Sequence, residues 1–257
     1  LIARTFYEAC AKVTGLRPPW GTLCGIRPSK LFREFLDGGM TEEQVIGYME
    51  DYYLARREKL ELCRDVARYE RSYEERSSLR DCSLYISVPF CPTRCFYCSF
   101  VSHSNEKAKR LLPAYVDLLC RDLTRAAEDV RLLGMNLRSV YMGGGTPTVL
   151  SAADLDRVLG TVQAEFDLSG LQEYTVEAGR PDCTDEEKLR VIARRGADRV
   201  SINPQTMNDR ILESIGRRHT AAQTEEAYRM AREVGFKTIN MDLIAGLLGE
   251  TVEEFQY

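Results

Sequence analysis

Three cysteines, Cys91, Cys95 and Cys98, stand at Cys-x3-Cys-x2-Cys spacing in the segment YISVPFCPTRCFYCSF. Thiolates this close together suit a metal centre. A structural zinc ion is normally closed by four protein ligands, and a cubane iron–sulfur cluster is usually held by four cysteines. Three ligands in one loop would leave one iron open for a small molecule. Two other readings stay open on spacing alone: a disulfide with a leftover thiol, and three of four zinc ligands. The only histidines, His103 and His219, do not stand at zinc-knuckle spacing with the three cysteines. Nine cysteines in all, at 10, 24, 63, 82, 91, 95, 98, 120 and 183, are an odd number scattered along the chain. No signal-peptide pattern opens the sequence and no apolar run reaches membrane-spanning length, so a small secreted disulfide framework is not expected. The expectation is a cytoplasmic, reducing setting without a membrane span, in which clustered cysteines read as metal or redox ligands.

The elements that must carry this loop divide near residue 80. Residues 1–80 read as a helical, charge-rich amino-terminal segment of an accessory domain. Within it Thr41 and Gln44 form a capping-box pattern, followed by Val45, Tyr48, Met49 and Tyr52 at helical spacing. The charged run from Arg56 to Arg80 predicts a long surface helix whose charges form a solvated face. RPPWGTLCGIRPSKLF, with its Pro and Gly punctuation, predicts a turn-rich connector in which Trp20 and Arg27 pack and position.

From residue 81 to 257 short apolar strands alternate with amphipathic helices. Strands are expected at 84–88, 138–142, 173–177, 198–202 and 238–244, with helices near 108–133, 152–166, 185–195, 206–215 and 221–234. Ser151 with Asp154, Thr184 with Glu187, and Thr220 with Gln223 are the expected caps. The closing GLLGETVEEFQY predicts the start of a helix that stops after about two turns, and with no initiator Met the chain reads as a fragment cut at both ends. Repeated βα units give a parallel sheet, either doubly wound or a β/α barrel.

The polar residues favour the barrel. The cysteines follow the first strand, Gly143, Gly144, Gly145, Thr146 and Pro147 follow the second, and Glu177 ends the third. Gln205 lies beyond the fourth, and Asp242 lies on the fifth. A barrel converges such strand ends on one face, whereas an open sheet spreads them along an edge. GGGTP lacks the lysine of a phosphate-binding P-loop and the GxGxxG spacing, so it reads as a loop that lets backbone approach a ligand closely. With 257 residues and 44% hydrophobic content, one large core plus a small domain is within reach. A net charge of −4 argues against a nucleic-acid-wrapping surface.

Taken together, YISVPFCPTRCFYCSF, YMGGGTPTVL, YTVEAGRPD, SINPQT, SIGRRHT and INMDLIAGL resemble the radical S-adenosylmethionine (SAM) superfamily, and within it the oxygen-independent coproporphyrinogen III oxidase group. RPPWGTLCGIRPSKLF and VEAGRPD are similar to the HemZ-type coproporphyrinogen dehydrogenase branch. The resemblance covers about residues 84–257 and implies an α/β fold, a partial β/α barrel truncated after its fifth strand.

The resemblance implies that Cys91, Cys95 and Cys98 hold a [4Fe–4S] cluster whose remaining iron is chelated by SAM. It matches Gly144, Gly145 and Thr146 to the loop holding the methionine part, and Glu177 and Gln205 to polar anchors of the cofactor. Arg217 would face the carboxylate and Asp242 the ribose hydroxyls, roles that suit a guanidinium fork and an acidic acceptor. Tyr85 matches a tyrosine near cofactor and substrate and is the catalytic candidate, its plain alternative being an ordinary strand aromatic. The implied reaction is reductive cleavage of SAM to a 5′-deoxyadenosyl radical, leading to oxidative decarboxylation of coproporphyrinogen III. A reducing partner such as flavodoxin or ferredoxin is implied, with Arg94 and Arg180 as candidates for substrate carboxylates. Phe100 stands where well-studied oxidases of this group carry a fourth cysteine, and VEAGRPD replaces their Asn-Pro ending. Heme-handling relatives without decarboxylation are therefore the alternative.

Overall fold

The computed structural model describes residues 2–23, 27–100, 103–104, 108 and 110–256. The chain divides into two compact units, Leu1–Leu79 and Arg80–Tyr257.

The first unit is built from helices α1 (Ile2–Thr14), α2 (Pro28–Asp37), α3 (Glu42–Tyr53) and α4 (Arg57–Glu74). The anticipated connector is helical at its end, because Pro28 starts α2 where a missing N–H costs nothing. Thr41 and Gln44 form the complete capping box of α3. Leu54, in the left-handed region at φ 56°, ends that helix. Phe32, Val45, Ile46, Met49 and Leu60 are fully buried at the centre, with Trp20 packed against them. Ile46, not Tyr48 or Tyr52, completes the buried face of α3; the two tyrosines stack on each other at 5.4 Å on the exposed side. The charges of α4 reach back to α2 and α3: Arg57 pairs with Glu43 at 2.7 Å and Arg71 with Asp37 at 2.6 Å.

The second unit is one sheet of five parallel strands in the order β1-β2-β3-β4-β5. The strands are β1 (Asp81–Val88), β2 (Asn136–Gly144), β3 (Glu173–Glu177), β4 (Arg199–Ser201) and β5 (Thr238–Asn240). Helices α5 (Leu112–Leu132), α6 (Ala152–Glu165), α7 (Glu186–Arg194), α8 (Asp209–Ser214) and α9 (Ala221–Val234) fill the crossovers, and α10 (Val252–Gln256) follows β5. The order never reverses. A doubly wound sheet requires a switch point, so this is the wall of a partial β/α barrel.

Alternation along the strands sorts the two faces. Ile86, Val88, Val140, Met142, Val176 and Val200 are buried in the core shared with the helices. The intervening residues line up across the sheet on the other face: Tyr85 pairs with Tyr141, Tyr141 with Thr175, and Glu177 with Ser201.

Three expectations need correcting. Thr184 does not cap α7, because its hydroxyl donates to the Arg180 carbonyl at 3.0 Å; Asp185 caps instead, accepting from the Lys188 N–H at 2.9 Å. The fifth strand ends at Asn240, so Asp242 lies beyond it rather than on it. The final helix is little more than one turn among the described residues. Ser151 and Thr220 cap α6 and α9 as expected.

Candidate active site

Beyond the carboxyl ends of the strands lies a cavity of about 320 Å3. It is lined by the three cysteines, Tyr85, the Gly144–Gly145–Thr146 loop, Glu177, Gln205, Arg217 and Asp242. Every residue singled out in the sequence for metal or cofactor thus borders one space.

The cysteine loop is tied at its base by backbone: the Cys91 N–H donates to the His103 carbonyl at 3.0 Å and the His103 N–H to the Pro89 carbonyl at 2.8 Å. Its far side leans on the segment after α8. The Phe96 N–H donates to the Ile215 carbonyl at 3.0 Å, and the Thr93 hydroxyl to the Gly216 carbonyl at 2.9 Å. Gly216 has φ 80°, and a Cβ there would fall 2.9 Å from the Arg94 carbonyl, so only glycine allows this approach.

Gly145 does the same on the opposite side. A Cβ at this position would stand 2.5 Å from the Phe90 carbonyl oxygen and 3.0 Å from Cys91 Sγ. Its N–H donates to the Val88 carbonyl at 2.8 Å, and the Thr146 hydroxyl points to Cys91 Sγ at 3.5 Å. The glycine loop is therefore pressed against the first thiol and borders the cavity.

The polar wall is set by strand register. Glu177, at the end of β3, accepts a 2.5 Å hydrogen bond from Tyr141 on β2. Burial pushes the Glu177 carboxyl above its usual range, with Asp242 adding repulsion and the Tyr141 hydroxyl opposing. Tyr141 stacks on Tyr85 at 5.8 Å, the rings 11° apart. The Tyr85 phenol is raised mainly by burial, then by the charge of Glu177.

Gln205 is buried with φ 68°, a left-handed conformation that an L side chain adopts at a cost. Its N–H donates to the Asp242 carbonyl and its carbonyl accepts from Ile244, both at 2.9 Å, so the fifth segment holds the strain in place.

Arg217 donates through Nη1 to the Asn203 carbonyl at 2.6 Å and through Nε to the Tyr97 hydroxyl at 3.3 Å. Its Nη2 makes no hydrogen bond among the described residues, and the side chain borders the cavity. Burial pushes the Tyr97 phenol up to about 12, although the Arg217 charge opposes the shift. His219 is 2% exposed, and burial followed by the Arg217 charge lowers its imidazole to about 4.

The two arginines expected to meet substrate carboxylates differ. Arg94 borders the cavity. Arg180 does too, but it is 3% exposed and its guanidinium is engaged by Asp182 and Thr93, which leaves it unsuited to meet a substrate carboxylate. Beyond the residues singled out in the sequence, Tyr97 and Asn203 border the cavity and Tyr141 holds Glu177. Tyr141 sits two residues before Gly143 in the inward register of β2, a position the alternation pattern alone could have flagged.

The eight described cysteines are all free, which removes the disulfide reading for them. Among the described residues no three His, Cys, Asp or Glu side chains converge on a point where one metal ion would sit. A cubane takes each thiolate at a different iron. Three thiols bordering one cavity beside a close-packed glycine loop and Arg217 suit such a cluster with a small ligand on its remaining iron.

Comparison with known proteins agrees with this geometry. The sequence pattern of the radical SAM superfamily matches residues 85–257. The chain is 38% identical over 247 residues to the oxygen-independent coproporphyrinogen-III oxidase-like protein HemZ of Bacillus subtilis, covering 95% of this chain and 49% of that protein. It is 36% identical over 171 residues to the heme chaperone HemW of Lactococcus lactis, covering 66% and 43%. The chain therefore spans about half the length, or less, of the curated relatives it matches. Among solved structures, the radical SAM coproporphyrinogen III oxidase HemN of Escherichia coli aligns with a TM-score of 0.59 at 27% identity, over 68% of this chain and 39% of that one. With the superfamily pattern covering more than half of its length, the chain belongs to the radical SAM superfamily, whose cofactors are a [4Fe–4S] cluster and S-adenosylmethionine.

Proposed function

We propose that this protein is a radical SAM oxidoreductase acting on the propionate side chains of coproporphyrinogen III or a close tetrapyrrole, in heme biosynthesis. The observation that carries the reading is the shared cavity: three thiols, a glycine loop and four polar anchors, Glu177, Gln205, Arg217 and Asp242, line one space.

Cys91, Cys95 and Cys98 would hold the cluster. Cluster and SAM, when bound, would supply one-electron reductive radical chemistry, with a reducing partner such as flavodoxin or ferredoxin as the electron source. Glu177 receives the ammonium group; its partly desolvated carboxylate forms no ion pair among the described residues, and a cation there relieves the cost of its burial. Tyr141 fixes the orientation of that carboxylate. The Arg217 guanidinium would donate to the methionine carboxylate, and the half-buried Gly144–Gly145 backbone at the cavity would receive the methionine chain. Asp242 takes the ribose hydroxyls, and Gln205 is held rigidly enough to present its amide in one direction. Tyr85, stacked on Tyr141 and half exposed at the cavity, lies where substrate would meet cofactor.

A second reading is favoured by one residue. Phe100 is 66% exposed and borders the cavity two positions after Cys98, where it offers no thiol. A heme-binding or heme-delivering protein that keeps cluster and SAM fits this, as does the likeness to HemW.

An anaerobic assay of the full-length protein with dithionite, SAM and coproporphyrinogen III separates the two. Formation of 5′-deoxyadenosine together with loss of carboxyl groups from the tetrapyrrole is the expected result. Stoichiometric heme binding without substrate-dependent 5′-deoxyadenosine would establish the second reading instead.

A further inference from the structure

A buried guanidinium must find partners for its donors, and those of Arg180 lie mostly outside its own segment. Nε and Nη2 fork onto the two carboxylate oxygens of Asp182, each at 3.0 Å. Nη2 also donates to Thr93 Oγ1 at 2.9 Å and Nη1 to the Thr93 carbonyl at 3.4 Å, across 87 positions of chain. Nη1 lies 3.9 Å from Cys95 Sγ. Because the Thr93 hydroxyl donates onward to Gly216, the arginine joins the cysteine loop to the segments that follow β3 and α8.

Two physical effects follow. The loop between the first and second cysteines is held by a planar fork, a geometry that a flexible ammonium cannot reproduce. A fixed cationic donor also stands beside one thiolate. Reduction potentials of iron–sulfur clusters respond to net charge and to hydrogen bonds at sulfur; adding an electron makes the cluster more negative, so a cation beside a ligand sulfur favours the reduced form. Asp182 opposes that field from the other side of the fork.

We propose that Arg180 is a positioning residue for the cysteine loop and that it raises the reduction potential of the cluster held there, with Asp182 setting how much of its charge reaches Cys95. The proposal rests on the reading of Cys91, Cys95 and Cys98 as cluster ligands. It concerns a step before any substrate is bound, and so holds for either reading of the function.

The test compares the parent protein with Arg180→Gln, Arg180→Lys and Asp182→Asn, all reconstituted anaerobically with iron and sulfide. Each is titrated electrochemically with detection of the reduced cluster by electron paramagnetic resonance, and iron loss to a chelator is timed. Arg180→Gln is expected to make reduction about tenfold less favourable, a shift of about 59 mV to more negative potential for one electron, and to release iron several-fold faster. Arg180→Lys recovers most of the potential but not the slow iron release. Asp182→Asn shifts the potential the other way. Unchanged potentials in both Arg180→Gln and Asp182→Asn overturn the inference; should Arg180→Gln not fold, a potential in Asp182→Asn that fails to rise overturns it alone. A parent protein that takes up no cluster would overturn the assignment of the cysteines beneath it, which is a distinct result.

Discussion

Both units carry exposed ion pairs, but Arg80–Tyr257 also buries charge beside its cavity. In Leu1–Leu79 the arginines of α4 meet carboxylates in solvent, as in Arg57 with Glu43 and Arg68 with Glu42. In Arg80–Tyr257 the notable charges are withdrawn from water: Arg180 and Arg217 are buried, and Glu177 carries a raised pKa. Exposed pairs typically contribute about 0–1 kcal/mol, whereas breaking a buried pair costs about 3–5 kcal/mol. Charge placed in solvent decorates a helical core that Phe32, Ile46 and Met49 already hold. Charge buried at strand ends is maintained against a desolvation cost, and the cavity it lines is where that cost serves a ligand.

Substitutions can break this contrast, and the largest effect is expected at the cysteines. Cys95→Ala should abolish cluster uptake, read as iron and sulfide per chain after anaerobic reconstitution, while circular dichroism remains that of the parent. An iron content equal to the parent would remove Cys95 from the ligand set.

Glu177→Gln comes next and has two signs. Losing a charge-assisted contact to the SAM ammonium should weaken SAM binding by about tenfold to a hundredfold, the equivalent of roughly 1.5–3 kcal/mol, measured by isothermal titration. Without SAM the same change should stabilise the protein at neutral pH. A carboxyl whose folded pKa is raised binds more protons folded than unfolded, so stability falls as pH rises from the ordinary carboxylate pKa through the raised one. Melting curves of the parent should show that decline above the usual carboxylate range, and Glu177→Gln should flatten it.

Thr220→Ala removes the capping box at the start of α9 and should lower stability by about 1 kcal/mol, seen as a lower denaturant midpoint with an unchanged slope. The smallest effect belongs to the exposed network. Arg57→Gln should leave the denaturation midpoint within experimental error at physiological salt; a large drop would mean the first unit depends on its ion pairs more than its solvent exposure allows.

Much of the fold was legible because its determinants are local. The alternation in LYISV and EYTVE marks inward and outward residues, and the Thr41 and Thr220 boxes are written within four residues. Cap competition was not legible: Thr184 and Asp185 both qualify by type, and only the position of the Arg180 carbonyl decides between them. The same holds for Ile46, which helical spacing left less prominent than Tyr48 until packing against Phe32 and Leu60 selected the buried face.

By itself the sequence determined the succession of parallel βα units, the set of residues at their carboxyl ends and the triad of cysteines, since each depends on spacing along the chain. Tertiary structure alone decided that Arg180 faces Thr93 and Cys95 rather than solvent, that Arg217 donates to the Asn203 carbonyl, and that Tyr141 rather than a cation meets Glu177. The pairings of Tyr141 with Glu177, of Arg180 with Thr93 and of Arg217 with Tyr97 join residues 36, 87 and 120 positions apart. They arise only when strand register and the close approaches allowed by Gly145 and Gly216 bring the segments together, and no local preference along the chain encodes them.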